Sequence, residues 1–85
     1  MIRLLICDDH LIVRQGLKQI LADAPDIEVS AEASSGCEAL RLARQGGLDA
    51  VLLDIAMPNR DGLDTLKQFR SELPRLPVLM LSTYP

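Results

Sequence analysis

Eighty-five residues suit one small domain, near the lower limit of what a single core can stabilise, and a hydrophobic content of 48% excludes a disordered chain. With one Phe, one Tyr and no Trp, that core must be built from Leu, Ile, Val and Ala. The net charge is −3, with nine Lys and Arg scattered among twelve acids, which argues against a nucleic-acid-reading surface on this stretch. No apolar run approaches the length of a membrane span, and no leader pattern precedes residue 3, so the expected location is the cytoplasm. Cys7 and Cys37 form no C-x-x-C pair and are expected to be reduced, partly buried thiols.

In chain order, "IRLLIC" (2–7) is apolar at consecutive positions, as expected of a parallel strand covered on both faces. Val13, Leu17, Ile20, Leu21 and Ala24 then fall on one face of a helix ending near Pro25. "IEVSAEA" (27–33) alternates Ile27, Val29, Ala31 and Ala33 with polar neighbours and predicts a half-exposed edge strand. Ser35 and Glu38 fit a capping box opening a helix through Ala39, Leu40 and Ala43, which Gly46 and Gly47 stop. "DAVLLD" (49–54) is a third strand. Leu63, Leu66, Phe69, Arg70 and Leu73 give a third helical face closed by Pro74, with the Arg stem covering apolar surface. "PVLMLS" (77–82) is the fourth strand. No repeat or linker interrupts the chain, so residues 1–85 read as one unit. The order β-α-β-α-β-α-β specifies an α/β fold with a parallel sheet and right-handed crossovers, doubly wound in the common order 2-1-3-4.

Parallel strands present their C-terminal ends on one edge, where ligands of open α/β sheets bind. Asp8 and Asp9 follow the first strand, Asp54 closes the third and Ser82 closes the fourth, so three carboxylates and a hydroxyl are expected in one crevice. Two carboxylates about 5 Å apart repel by roughly 3 kcal/mol at an effective dielectric near 20. A bound cation, raised pKa values or side chains splayed into water must compensate. All-oxygen ligands favour a hard ion, Mg²⁺ first.

Taken singly, each residue has a plainer reading. Asp9 serves equally as a helix N-cap, His10 as a first-turn residue, and Cys7 as a small buried hydrophobe. Ser82 and Thr83 read as strand-end hydroxyls, and Met57-Pro58 with Asp61-Gly62 as a turn into a helix. The independent arrival of Asp54 at another strand end is what gives the acids a shared meaning.

"LLICDDH" (4–10), "VLLDIAMPNRDG" (51–62) and "VLMLST" (78–83) together resemble the receiver domain of two-component response regulators, from residue 2 to 84. "DDHLIVRQGL", "PDIEVSAEASSG" and "DGLDTLKQFR" further resemble its NarL/FixJ branch, whose members carry a C-terminal helix-turn-helix output domain. The resemblance implies that Asp54 is the phosphoacceptor, supplied by a sensor histidine kinase. Mg²⁺ would be held by Asp9 directly, by Asp8 through water, by Asp54 and by the backbone carbonyl of Ala56. Ser82 would be the switch hydroxyl, and DNA would be bound only through the output domain.

The resemblance also implies roughly 35 to 40 further residues of this doubly wound fold, with a helix, a fifth strand and a final helix. The fifth-strand Lys that pairs with the phosphoryl group has no counterpart here, since Lys18 and Lys67 lie on predicted helices. "PVLMLS" would then be an apolar edge strand, and a homodimer or self-associating chain is expected. Three other classes compete with the receiver. A Mg²⁺-dependent phosphohydrolase with an Asp nucleophile wants a second Asp where Ala56 stands. A non-switching interaction module would have no need of the intact acids and Ser82. A flavodoxin-like cofactor binder would need a phosphate loop where this chain has Asp-Asp-His.

Overall fold

The computed structural model describes residues 1–54 and 62–81. Four strands and three helices alternate: β1 (Ile2–Cys7), α1 (Leu11–Leu21), β2 (Ile27–Ala33), α2 (Gly36–Arg44), β3 (Ala50–Asp54), α3 (Gly62–Glu72) and β4 (Val78–Leu81). The strands form one sheet in the order β2-β1-β3-β4, with every neighbouring pair parallel. The expected doubly wound order is therefore the observed one, and β2 and β4 are its edges.

Strand β1 lies at the centre because Leu4, Leu5, Ile6 and Cys7 can be buried on both faces at once. Leu5 and Cys7 join Val51 and Leu53 of β3 beneath Ala39, Leu40 and Ala43 of α2 and Phe69 of α3, forming the main core. Full burial of each larger apolar side chain there contributes about 1.5–3 kcal/mol. Leu4 and Ile6 alternate onto the opposite face, where both are buried as well, and α1 packs against β2.

Strand β2 departs from simple alternation. Leu4 lies beside Val29 and Leu5 beside Ala31, so Ser30 is an extra residue in the edge strand. The apolar positions on its two sides consequently serve different layers. Ala31 and Ala33 pack with the α2 layer, whereas Val29 shares the face of Leu4.

Helix α1 is shorter than its periodicity predicts, ending at Leu21, with Ala24 in the following turn. None of its residues is fully buried, and Ile20 is 71% exposed. Val13, Leu17 and Leu21 form the half-buried stripe, and Ile20 sits at its margin. Helix α3 shows a similar shift. Among its described side chains Thr65 and Phe69 are buried and Leu66 is partly covered, as is Leu73 just beyond the helix, while Leu63 faces solvent.

At the start of α2, Ser35 Oγ accepts from the Glu38 amide at 3.2 Å. The return bond of the predicted capping box goes one residue further back, since Glu38 Oε1 accepts from the Ser34 amide at 2.8 Å. The helix stops as expected, with Gly46 and Gly47 at φ of 84° and 86°. Gly36 allows α2 to approach α3 closely, because a Cβ there would collide with the Thr65 side chain.

Alanine is the better helix former, yet Gly36→Ala is expected to destabilise by about 1–3 kcal/mol, because overpacking outweighs propensity. Urea midpoints should show part of that loss recovered in the Gly36→Ala/Thr65→Ala double variant. A neutral single variant would show that the two helices can move apart freely.

Candidate metal centre

Strand β1 carries Asp8 to the edge of the sheet as its natural continuation, with the Asp8 amide donating to the Ala33 carbonyl at 3.0 Å. Cys7 lies beside Leu53, so the next residues of the two strands, Asp8 and Asp54, stand side by side at the sheet edge. Both side chains are buried, each only 1% exposed, and Asp9 is partly covered. One ligand atom from each of Asp8, Asp9, His10 and Asp54 lies within 4.8 Å of the others.

The chain turns out of β1 through Asp8. Its Oδ1 accepts from the His10 amide at 2.8 Å, an aspartate turn that sets up the helix. Its Oδ2 is buried without a hydrogen-bond partner among the described residues. A buried carboxylate oxygen with no donor to accept from is costly, and a hard cation offsets that cost. The donor set therefore fits a divalent ion on its chemistry, with oxygens from two adjacent strands.

His10 occupies the N-cap position of α1 rather than its first turn, and no side chain caps the helix there. Its ring stands over the acids, with Nδ1 3.1 Å from Asp8 Oδ1 and 3.0 Å from Asp9 Oδ1. Arg14, one turn into α1, braces the same loop by donating through Nη1 to the Asp8 carbonyl at 2.6 Å. Its Nε also meets Glu32 of β2 at 3.2 Å, and Lys18 reaches the second Glu32 oxygen at 2.8 Å. Those hydrogen bonds, Lys18 first, hold Glu32 below the ordinary carboxylate range against its partial burial. Arg14 thus ties the edge strand to the acidic turn.

Cys7 ends β1 directly beneath this site. Burial pushes its thiol up to about 12, and the negative charges of Asp8 and Asp54 push the same way. The thiol donates toward the Ser35 carbonyl at 3.4 Å and stays protonated, which suits a buried packing residue and not a nucleophile. Cys37 is exposed, contrary to the expectation of partial burial, and neither cysteine forms a disulfide.

Of the residues singled out from the sequence, Asp8, Asp9 and Asp54 come together. Ala56 and Ser82 lie outside the described residues, as do Thr83, Met57, Pro58 and Asp61. Lys18 and Lys67 lie on α1 and α3. The sequence reading missed His10 as a member of the cluster and Arg14 as its brace. The signals available were the contiguity of Asp-Asp-His at a strand end and the placement of Arg14 one helical turn after His10.

A doubly wound parallel sheet that gathers three carboxylates at its C-terminal edge defines an open α/β protein with its acids at the strand reversal, where ligands of such sheets bind. Residues 4–85 match the model of the response regulator receiver domain. The transcriptional regulatory protein LiaR of Bacillus subtilis is 43% identical over 84 residues, which are 99% of this chain and 40% of LiaR. The chain thus spans well under half the length of that relative. Solved structures share the fold, among them two at 32–33% identity. The response regulator TrrA of Thermotoga maritima in complex with Mg²⁺-BeF superposes with a TM-score of 0.86 at 33% identity, covering 99% of this chain and 71% of that one. A chain from the complex of histidine kinase ThkA with TrrA gives a TM-score of 0.86 at 32% identity, covering 100% and 72%. The chain belongs to the response regulator receiver domain family, a family of signalling domains.

Proposed function

We propose that Asp54 accepts a phosphoryl group from the phosphohistidine of a sensor histidine kinase, and that the modified domain controls a DNA-binding output domain in the cytoplasm. The observation that carries this reading is the meeting of Asp8, Asp9 and Asp54 at the ends of two adjacent strands. The Mg²⁺-BeF complex of TrrA and its complex with the kinase ThkA support it by analogy. The name of LiaR as a transcriptional regulator supports the output side.

In this mechanism an Asp54 carboxylate oxygen attacks phosphorus in line. The P–N bond to the kinase imidazole breaks, the imidazole recovers a proton, and an acyl phosphate remains on Asp54. Asp8, Asp9, Asp54 and the Ala56 carbonyl would hold Mg²⁺, which supplies charge neutralisation for the transferring group. Burial of Asp8 and Asp54 keeps water from screening the interaction. Arg14 holds the Asp8 carbonyl, and with it the turn that aims the Asp8 carboxylate. The product carries about one to two added negative charges at the sheet edge, and Ser82 would turn toward them, moving its loop between two states. The domain catalyses only its own phosphorylation and dephosphorylation.

Acetyl phosphate with Mg²⁺ should add about 80 Da to the intact mass, and Asp54→Asn should abolish the adduct. An adduct that survives in the variant would move the acceptor elsewhere. Steady turnover of phosphate esters would instead favour a hydrolase.

The same reading includes self-association along β4, an edge strand on which Leu79 is exposed. Sedimentation of the chain is expected to show dimers at high concentration. Leu79→Lys should return it to a monomer, and a monomer at all concentrations would remove this element of the proposal.

A further inference from the structure

We propose that His10 makes the acidic cluster a mixed nitrogen–oxygen site that takes late first-row divalent ions, Zn²⁺ above all, with the imidazole as a ligand. The inference rests on the reading of Asp8, Asp9 and Asp54 as a divalent-ion pocket and adds a specificity which that reading does not contain.

The geometry comes first. His10 Nδ1 lies 3.1 Å from Asp8 Oδ1 and 3.0 Å from Asp9 Oδ1. Bonds of about 2.0–2.2 Å from a zinc-sized ion to nitrogen and oxygen place neighbouring ligands about 3.0 Å apart in an octahedron and about 3.4 Å apart in a tetrahedron. The three atoms therefore already stand at ligand-to-ligand spacing, and one ligand atom of Asp54 completes a group within 4.8 Å. An ion at that point meets the ring nitrogen and both carboxylates at once.

Two further observations point to a ligand there. Asp8 is almost wholly buried, and its Oδ2 has no hydrogen-bond partner among the described residues. The His10 amide is tied to Asp8 Oδ1 at 2.8 Å, which fixes the turn that carries the ring. The side chain itself is 64% exposed, which leaves an open path for an ion.

Selectivity follows from ligand chemistry. Mg²⁺ prefers oxygen and keeps several waters, so it gains little from an imidazole. Zn²⁺ binds imidazole nitrogen strongly, and the order of divalent affinities rises toward the end of the row. Zn²⁺ and Mg²⁺ then compete for one pocket, and His10 decides the margin.

The test is calorimetric titration of the untagged protein with Zn²⁺ and with Mg²⁺, together with ¹⁵N resonances of the imidazole. His10 is the single histidine of the sequence, so the ring signal is unambiguous. Zn²⁺ is expected to bind more tightly than Mg²⁺ and to be displaced from the same site by excess Mg²⁺. His10→Ala should weaken Zn²⁺ by about tenfold to a hundredfold, at least the loss seen when a ligand's supporting group is removed, and shift the Zn²⁺-to-Mg²⁺ preference toward Mg²⁺ by a similar factor. Asp8→Asn should weaken both ions. The Nδ1 resonance should move on Zn²⁺ saturation and not on Mg²⁺ saturation. Zn²⁺ affinity that survives His10→Ala, or an unmoved Nδ1, overturns this inference while Mg²⁺ binding through Asp8 still stands. Failure of the wild-type protein to bind either ion overturns both readings.

Discussion

Phe69→Ala is expected to cost about 3–5 kcal/mol, the range for deleting a buried aromatic side chain. Phe69 is the sole Phe of the sequence and, among the described residues, the largest fully buried side chain, set on α3 between α2 and the sheet. Among the described residues no second aromatic lies in that core to fill the space, and the aliphatic neighbours Leu5, Leu40, Val51 and Leu53 are already packed. A small domain holds only about 5–15 kcal/mol in total, so the variant should unfold at a much lower urea concentration or be unfolded without it. The control is Ile12→Ala. Ile12 is 84% exposed on α1, and its loss should stay within about 0.5 kcal/mol. Equal shifts in the two urea midpoints would mean that apolar content, and not burial in this layer, sets the stability.

Asp8→Asn should raise the melting temperature in the presence of EDTA. The substitution keeps an oxygen to accept from the His10 amide and removes a buried charge beside Asp9 and Asp54. Relief of one carboxylate pair is bounded by roughly 3 kcal/mol, and loss of the favourable His10 contact reduces it. A net gain of about 1–2 kcal/mol corresponds to a rise of about 4–8 °C per kcal/mol for a chain of this size. With excess Mg²⁺ the ranking should invert. A ligand at a hundred times its dissociation constant stabilises by about 2.7 kcal/mol, and the variant should lose most of that increment. Thermal melts with and without Mg²⁺ measure both halves. A variant that melts below wild type in EDTA, or that keeps the full Mg²⁺ shift, would show that Asp8 is not held there at an electrostatic cost.

The parts of this molecule that were legible in the sequence are those fixed by local pattern. Consecutive apolar residues can persist only where both faces are covered, so β1 and β3 were marked by composition alone. The acids were legible because Asp8, Asp9 and Asp54 end those two strands, and parallel topology sends both ends to one edge. Features that depend on phase or on neighbouring elements were not legible. The extra residue at Ser30 leaves an alternating pattern looking regular while its faces change sides. Ile20 and Leu63 fit a helical period yet sit at the margins of their stripes, where exposure depends on what packs alongside. His10 was read by its helix position, and its approach to Asp8 and Asp9 exists only once the aspartate turn has formed.

The extra residue in β2 has a consequence beyond that strand. Regular pairing onward from Val29 would set Glu32 beside Cys7, driving a carboxylate into the apolar α2 layer. The inserted residue sets Glu32 beside Ile6 instead, beneath Arg14 and Lys18. Loss of Ser30 itself would preserve this arrangement, because Val29 and Ala31 already serve opposite faces. Loss of Ala31 would also leave Glu32 beside Ile6 but would put Ser30 beside Leu5, whereas pairing the full strand without its extra residue turns the glutamate inward and takes away the Arg14 anchor. The chain thus keeps its brace on the acidic turn by counting residues at the far edge of the sheet.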